Sequence, residues 1–219
     1  MNDLPASQLF LPDNEAHVWR IDVDPVPIAH WRDLLDPDER SKADRFRFPA
    51  DRSRYLAAHI ALRNILGRYL QIDPVHIQYR INEYGKPFVA GQPVEFSLSH
   101  SSDVILIAVT RDRSVGVDVE RIRPELDFQP IVDRHFSARE KSELLSMPQS
   151  IRYQHFFSLW TRKEAVLKMV GWGLSGLDQA EVSSDNEGKW SVQIVEVSAE
   201  YAAALAVGDD SVTIKHFRM

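Results

Sequence analysis

The chain of 219 residues sets 26 Lys and Arg against 32 Asp and Glu, a formal net charge of −6, and contains no cysteine. Such a balance leaves no surplus of basic side chains for a nucleic-acid backbone, and it lacks the thiols that a disulfide framework, a thiolate metal site or a cysteine nucleophile would need. With 44% hydrophobic and 26% charged residues, the composition is that of a globular protein able to bury a core, as one large domain or as two halves of ~110 residues. The longest apolar runs, Val104–Val109 and Tyr201–Val207, are far shorter than the ~20 residues of a membrane span. The first fifteen residues carry three acids and no basic stretch. No membrane segment or secretion signal is expected, and a reducing cytoplasmic address fits the absence of cysteine.

Val18, Ile21 and Val23 among polar neighbours predict a strand over Ala16–Val23. Asp36-Pro37-Asp38-Glu39 reads as a helix start, with Asp36 as cap, Pro37 in the first turn and Glu39 in the capping-box position. A longer helix from about Arg52 to Leu70 carries an apolar stripe of Tyr55, Leu56, His59, Leu62, Ile65, Leu66 and Tyr69. Beyond Asp73-Pro74 the period becomes extended. Ile77–Ile81, Pro87–Ala90, Glu95–Ser99, Val104–Thr110 and Val115–Glu120 predict short strands, largely antiparallel neighbours in a sheet. The order then repeats: Ser137-x-x-Glu140 is a second capping box and Ile151–Val170 a second long helix. Ala180–Ser184, Trp190–Val197, Tyr201–Val207 and Val212–Phe217 return to strands. A helix pair followed by strands, twice, with Pro49 and Pro148 ahead of the long helices, predicts an α+β fold of two similar halves, 1–120 and 121–219, joined through Arg121–Pro130.

Four stretches carry chemistry. In Gly116-Val117-Asp118-Val119-Glu120, strand alternation puts Asp118 and Glu120 on one face, as half of a Mg²⁺ site built from hard oxygens; alone, the pattern also describes a solvated strand face. In the segment Phe157–Lys168, Trp160, Glu164 and Lys168 recur every four residues on one helix face, which an amphipathic helix with one Glu–Lys pair would also show. Together with the strand acids, a third carboxylate one turn from a lysine is what a phosphate-bound magnesium and its leaving group require. Phe96-Ser97-Leu98-Ser99-His100-Ser101 offers hydroxyl and imidazole donors for phosphate, or else a satisfied loop histidine. A Ser-His-Asp hydrolase is disfavoured, because adjacent strand residues point to opposite faces and no G-x-S-x-G elbow exists. Glu83-Tyr84-Gly85-Lys86-Pro87 is not a Walker loop, since Arg80 stands where the first glycine would fall and Pro87 replaces the hydroxyl; it still presents a cation at a strand edge.

In this order and spacing, the four stretches resemble the Sfp-type 4′-phosphopantetheinyl transferases. The matching pieces are Tyr84-Gly85-Lys86-Pro87, Phe96–Ser101, Gly116–Glu120 and Trp160-Thr161-Arg162-Lys163-Glu164-Ala165-x-x-Lys168, followed by Gly171-x-Gly173-Leu174-Ser175. The resemblance runs from about Asp36 to Ser175, and Lys42, Arg45 and Arg54 fit its Arg-rich N-terminal helix. One position departs from it, for Glu39 stands where the family often carries a lysine; Arg40 could substitute.

The resemblance implies a pseudo-dimer with the active site in the cleft between its halves, and a reaction in which coenzyme A gives its phosphopantetheine arm to a carrier-protein serine, releasing adenosine 3′,5′-bisphosphate. It implies Mg²⁺ on Asp118, Glu120 and Glu164, a proton-accepting role for Glu164, and charge neutralisation by Lys168. Lys42, Arg54, Lys86, Ser99 and His100, with Lys168, are the expected coenzyme A contacts. The expected protein is a monomer whose partners are coenzyme A and an acyl or peptidyl carrier protein, the carrier docking along Arg121–Phe136 through apolar residues rimmed by arginines. A Mg²⁺-dependent nucleotide or coenzyme A hydrolase and a non-catalytic carrier-binding module are the alternatives.

Overall fold

The uninterrupted apolar run Val104–Val109 has no polar face to give to water, so its strand has to be covered on both sides. The computed structural model, which describes residues 9–23, 32–172, 180, 182, 190–208 and 212–219, shows how. Strand β5 (Val104–Arg111) lies inside a four-stranded sheet of order β4-β5-β1-β9, with β1 at Glu15–Asp22, β4 at Val94–Ser101 and β9 at Thr213–Arg218. Ile105, Ile107 and Val109 face helix α2 (Pro49–Leu70), packing with Ala58, Leu62 and Ile65. Val104, Leu106 and Ala108 face the other way, onto Val117, Val119 and Leu205 of a second sheet. That sheet has the order β6-β8-β7, from β6 (Val115–Arg121), β7 (Trp190–Ile194) and β8 (Tyr201–Gly208). Its outer face, through Ala204 and Ala206, packs on Ala165, Val166 and Leu167 of helix α5 (Arg152–Val170). The layers are thus helix, sheet, sheet and helix, a mixed α+β architecture.

Both expected capping boxes form. Asp36 accepts from the Glu39 amide at 2.8 Å while Glu39 accepts from the Asp36 amide at 3.0 Å, starting α1 (Pro37–Asp44). Ser137 and Glu140 do the same for α4 (Ala138–Ser146). A two-stranded hairpin, β2 (Tyr79–Ile81) and β3 (Pro87–Val89), carries the Gly-Lys turn.

Helix α3 (Gln129–His135) belongs to the stretch expected to dock a carrier, and its apolar side chains turn inward. Val132 and Phe136 are buried, and Leu126, Phe128 and Ile131 pack half-buried against them. Phe128 stacks on Phe156 with ring centroids 4.7 Å apart. These side chains cover the core beneath them while Leu126, Phe128 and Ile131 keep part of their surface exposed. Arg121, Arg123 and Arg134 stay exposed.

Two strand pairings cut across chain order. Strand β6 pairs with β8, which follows it by some eighty residues, and β9 returns to lie parallel to β1 in the first sheet. Gly173, Leu174, Ser175 and most of the expected strand Ala180–Ser184 lie outside the described residues.

Candidate active site

Strand β6 has to lie close to helix α5 if its carboxylates are to meet those of the helix, and Gly116 permits this. A Cβ at that position would stand 1.9 Å from the Ala165 carbonyl oxygen and 2.4 Å from the Met169 nitrogen, so any side chain would push strand and helix apart. With the gap closed, Asp118 and Glu120 on β6 converge on Glu164 and Lys168 of α5.

Asp118 is 4% exposed. Its Oδ1 accepts from Lys168 Nζ at 2.7 Å and from Ser99 Oγ at 2.7 Å, whereas its Oδ2 is buried with no hydrogen-bond partner among the described residues. A buried carboxylate oxygen without a donor is costly, and it suits a cation better than water. Burial, reinforced by the Asp118 and Glu120 charges, pushes Glu164 up to about 7 despite Lys168 nearby. Burial also raises Glu120, with Asp118 adding to it, against a hydrogen bond from Ser101 Oγ at 2.8 Å. Three carboxylates with one ammonium hold more negative charge than the site neutralises by itself, and their hard oxygens suit a divalent cation such as Mg²⁺. Among the described residues, no three His, Cys, Asp or Glu side chains already stand in metal-binding geometry.

Beside this cluster opens a cleft of about 640 Å³ whose walls include Lys42, Arg45, Lys86, Glu164 and Lys168, with Tyr55 and Tyr79 as aromatic surface. The turn that carries Lys86 is shaped by Asn82, whose Oδ1 accepts from the amides of Tyr84 (3.0 Å) and Lys86 (2.8 Å), and by Gly85 at φ +92°. Lys86 Nζ donates to the carbonyls of Val115 (3.2 Å) and Met169 (3.0 Å), and burial lowers its pKa. Lys86 therefore ties the hairpin to β6 and α5 while lining the cleft. Lys42 lies over the Tyr55 ring at 5.3 Å.

The other expected contacts sit elsewhere. Arg54, Ser99 and His100 are not among the cleft walls. Arg54 donates to the Ser102 carbonyl (2.5 Å) and to Asp51 (2.9 Å). His100 ends β4 beside it, and desolvation followed by the Arg54 and Lys168 charges lowers its pKa. Ser99 turns its hydroxyl to Asp118 and Lys168. Glu39 points inward to Arg63 (2.6 Å) and His59 (3.0 Å), which explains an acid in place of a phosphate-binding lysine: it is a structural hub. Arg40 lies 4.0 Å from Asp33 and is not among the cleft walls; Arg45 is. Sequence reasoning assigned no role to Asn82, although an Asn two residues before a Tyr-Gly turn is a readable Asx signal. It also missed the reach of Ser101 to Glu120 and the close contact at Gly116.

Comparison with known proteins places the chain in a family. Residues 114–214 match the family model described as the 4′-phosphopantetheinyl transferase superfamily, and residues 25–112 match the model of the 4′-phosphopantetheinyl transferase N-terminal region. The 4′-phosphopantetheinyl transferase HetI of Nostoc sp. is 38% identical over 80% of this chain and 76% of its own length. The 4′-phosphopantetheinyl transferase psf-1 of Bacillus pumilus is 37% identical over 73% of this chain and 69% of its own. Sfp of Bacillus subtilis is 32% identical over 74% and 71%. The chain belongs to the 4′-phosphopantetheinyl transferase family. Within that family it is a transferase of the Sfp-like kind.

Proposed function

We propose that the protein transfers the 4′-phosphopantetheine arm of coenzyme A to a serine hydroxyl of an acyl or peptidyl carrier protein, giving holo carrier protein and adenosine 3′,5′-bisphosphate. The observation that carries this reading is the convergence of Asp118, Glu120, Glu164 and Lys168 around a buried carboxylate oxygen that lacks a donor among the described residues. The 1–120 half brings the cations of the nucleotide end and the first two carboxylates, and the 121–219 half brings Glu164 and Lys168. We place the reaction at the seam of this pseudo-dimer.

Asp118, Glu120 and Glu164 would hold Mg²⁺, which supplies charge neutralisation to the pyrophosphate. The carrier serine oxygen attacks the phosphorus that bears the pantetheine arm, and the bond from that phosphorus to the bridging oxygen breaks. Glu164 accepts the serine proton, directly or through water; burial already makes it more basic than an ordinary carboxylate. Lys168 neutralises the charge that develops on the leaving phosphate. Lys42, Arg45 and Lys86 hold the nucleotide along the cleft, while His100 near the end of β4 lies close to both Arg54 of α2 and Lys168. Exposed Arg121, Arg123 and Arg134 would steer an acidic carrier surface toward the same edge. A cytoplasmic monomer fits an enzyme whose partners are coenzyme A and a carrier.

Incubation with coenzyme A, Mg²⁺ and apo carrier protein tests the reading by mass spectrometry of the carrier. A gain of one phosphopantetheinyl group, matched by one adenosine 3′,5′-bisphosphate, is the expected result. Coenzyme A cleavage with an unmodified carrier would instead indicate a hydrolase, and carrier binding with intact coenzyme A a non-catalytic module.

A further inference from the structure

Strand β4 pairs with β5 and strand β6 with β8, yet β4 and β6 run side by side through the seam between the two sheets. Their hydrogen bonds there pass from backbone to side chain. Ser97 Oγ accepts from the Val117 amide at 3.0 Å, Ser99 Oγ from the Val119 amide at 3.4 Å, and Ser101 Oγ from the Arg121 amide at 3.0 Å. Serines two apart on β4 meet amides two apart on β6, so three hydroxyls on one strand face stand in for a missing strand partner.

A hydroxyl has one proton to give. Ser99 gives its own to Asp118 Oδ1 at 2.7 Å, and Ser101 gives its own to Glu120 Oε2 at 2.8 Å. Lys168 Nζ, at 2.8 Å, fills the remaining acceptor position of Ser99. The Ser99 hydroxyl is then fully engaged by strand, carboxylate and ammonium, with nothing left for a nucleotide phosphate.

We infer that Ser99 and Ser101 are positioning residues of the transfer reaction, a ladder through which β4 fixes the rotamers of Asp118 and Glu120 and so orients their free oxygens toward the cation. The inference rests on the proposed reading of those carboxylates as Mg²⁺ ligands. Donors of this kind orient metal-binding side chains, and their loss costs about 10- to 100-fold in metal affinity. Ser97, which makes the same kind of seam bond and contacts no carboxylate among the described residues, serves as the internal reference for the metal response, although it also lines the cleft.

The test is calorimetric titration of Mg²⁺ into the enzyme with coenzyme A bound, together with steady-state transfer kinetics, for wild type, Ser97→Ala, Ser99→Ala, Ser101→Ala and Ser101→Thr. For Ser101→Ala and Ser99→Ala the Mg²⁺ dissociation constant and the Mg²⁺ concentration for half-maximal transfer are expected to rise about tenfold or more. KM for coenzyme A is expected to hold for both, and Ser101→Thr to restore the metal response. Ser97→Ala is expected to lower the melting temperature with the metal constant held. A Mg²⁺ constant in Ser101→Ala equal to that of wild type, in a folded protein, overturns the proposal. So does a raised coenzyme A KM in Ser99→Ala that vanishes with dephospho-coenzyme A, because this would put the hydroxyl on the 3′-phosphate. Should wild type show neither Mg²⁺ binding nor Mg²⁺ dependence, the reading of the carboxylates as ligands fails instead.

Discussion

Among the described residues, Asp118 receives two donors at one oxygen and none at the other, so one oxygen is anchored and the other is left open. Its charge also bears on Glu164, where it is the second cause after burial of a value near 7. In metal-free protein, Asp118→Asn is therefore expected to let Glu164 fall part of the way back to the ordinary carboxylate range, since burial and Glu120 remain. Carbon-13 titration of labelled glutamate carboxylates reads this directly; an unmoved Glu164 midpoint would mean that the two groups do not share a site. His100 provides a second residue-scale prediction. We propose that, although outside the cleft walls, it holds the 3′-phosphate of coenzyme A and so matters chiefly for coenzyme A affinity: His100→Ala then raises KM for coenzyme A while dephospho-coenzyme A binds both proteins alike. A clear difference for the dephospho ligand would remove His100 from the 3′-phosphate.

At the scale of elements, the contact of β6 with α5 depends on one missing side chain. Gly116→Ala places a methyl group against backbone on the helix side, where no side chain can swing away. We expect a loss of about 1–3 kcal/mol or more in stability, and a transfer rate that falls further than stability alone explains because Asp118 withdraws from Glu164. Urea unfolding alongside kinetics checks both, and a variant unchanged in each would contradict the close approach. The hub of α1 and α2 provides a pH test. Burial works against the Glu39 carboxylate, but the His59 hydrogen bond, the Asp36 amide and Arg63 outweigh it and leave its pKa lowered. Its stabilising contribution is then complete above the ordinary value of 4.5 and is lost as pH falls through the depressed one. Glu39→Gln should flatten the acid limb of a melting-temperature profile, and parallel limbs would refute the assignment. For Phe128→Ala, the half-buried stack on Phe156 predicts a loss of about 1–3 kcal/mol, below the range for a fully buried ring. Thermal melts decide it: a melting temperature equal to that of wild type would return Phe128 to the docking surface.

Legibility follows the range of the interactions. The capping boxes at Asp36 and Ser137 and the long helices were readable because caps and apolar stripes are written within a few residues. Asp118, Glu120, Glu164 and Lys168 were readable as faces of a strand and a helix, and the structure brings those faces together. The pairing of β6 with β8 and the return of β9 to β1 were not, because strand partners are chosen by burial over long sequence separations. Ser99 illustrates the same limit: its motif suggested phosphate, and only the neighbouring strand reveals that its proton belongs to Asp118.

Over the whole molecule, the family matches meet near residue 113, close to where the chain passes from the first sheet to the second. The carboxylates and the lysine stand on the second-sheet side of that seam, the serine ladder on the first, so the site exists only when both sheets are in place. In the proposed reaction this seam performs carrier modification through Asp118, Glu120, Glu164 and Lys168. Its most direct test compares wild type and Asp118→Ala, both verified as folded by circular dichroism, by the rate at which an apo carrier gains one phosphopantetheinyl group from coenzyme A in Mg²⁺. Full conversion by wild type and a rate lower by about 100-fold or more in the variant are expected; transfer by Asp118→Ala at close to the wild-type rate would remove Asp118 from the reaction.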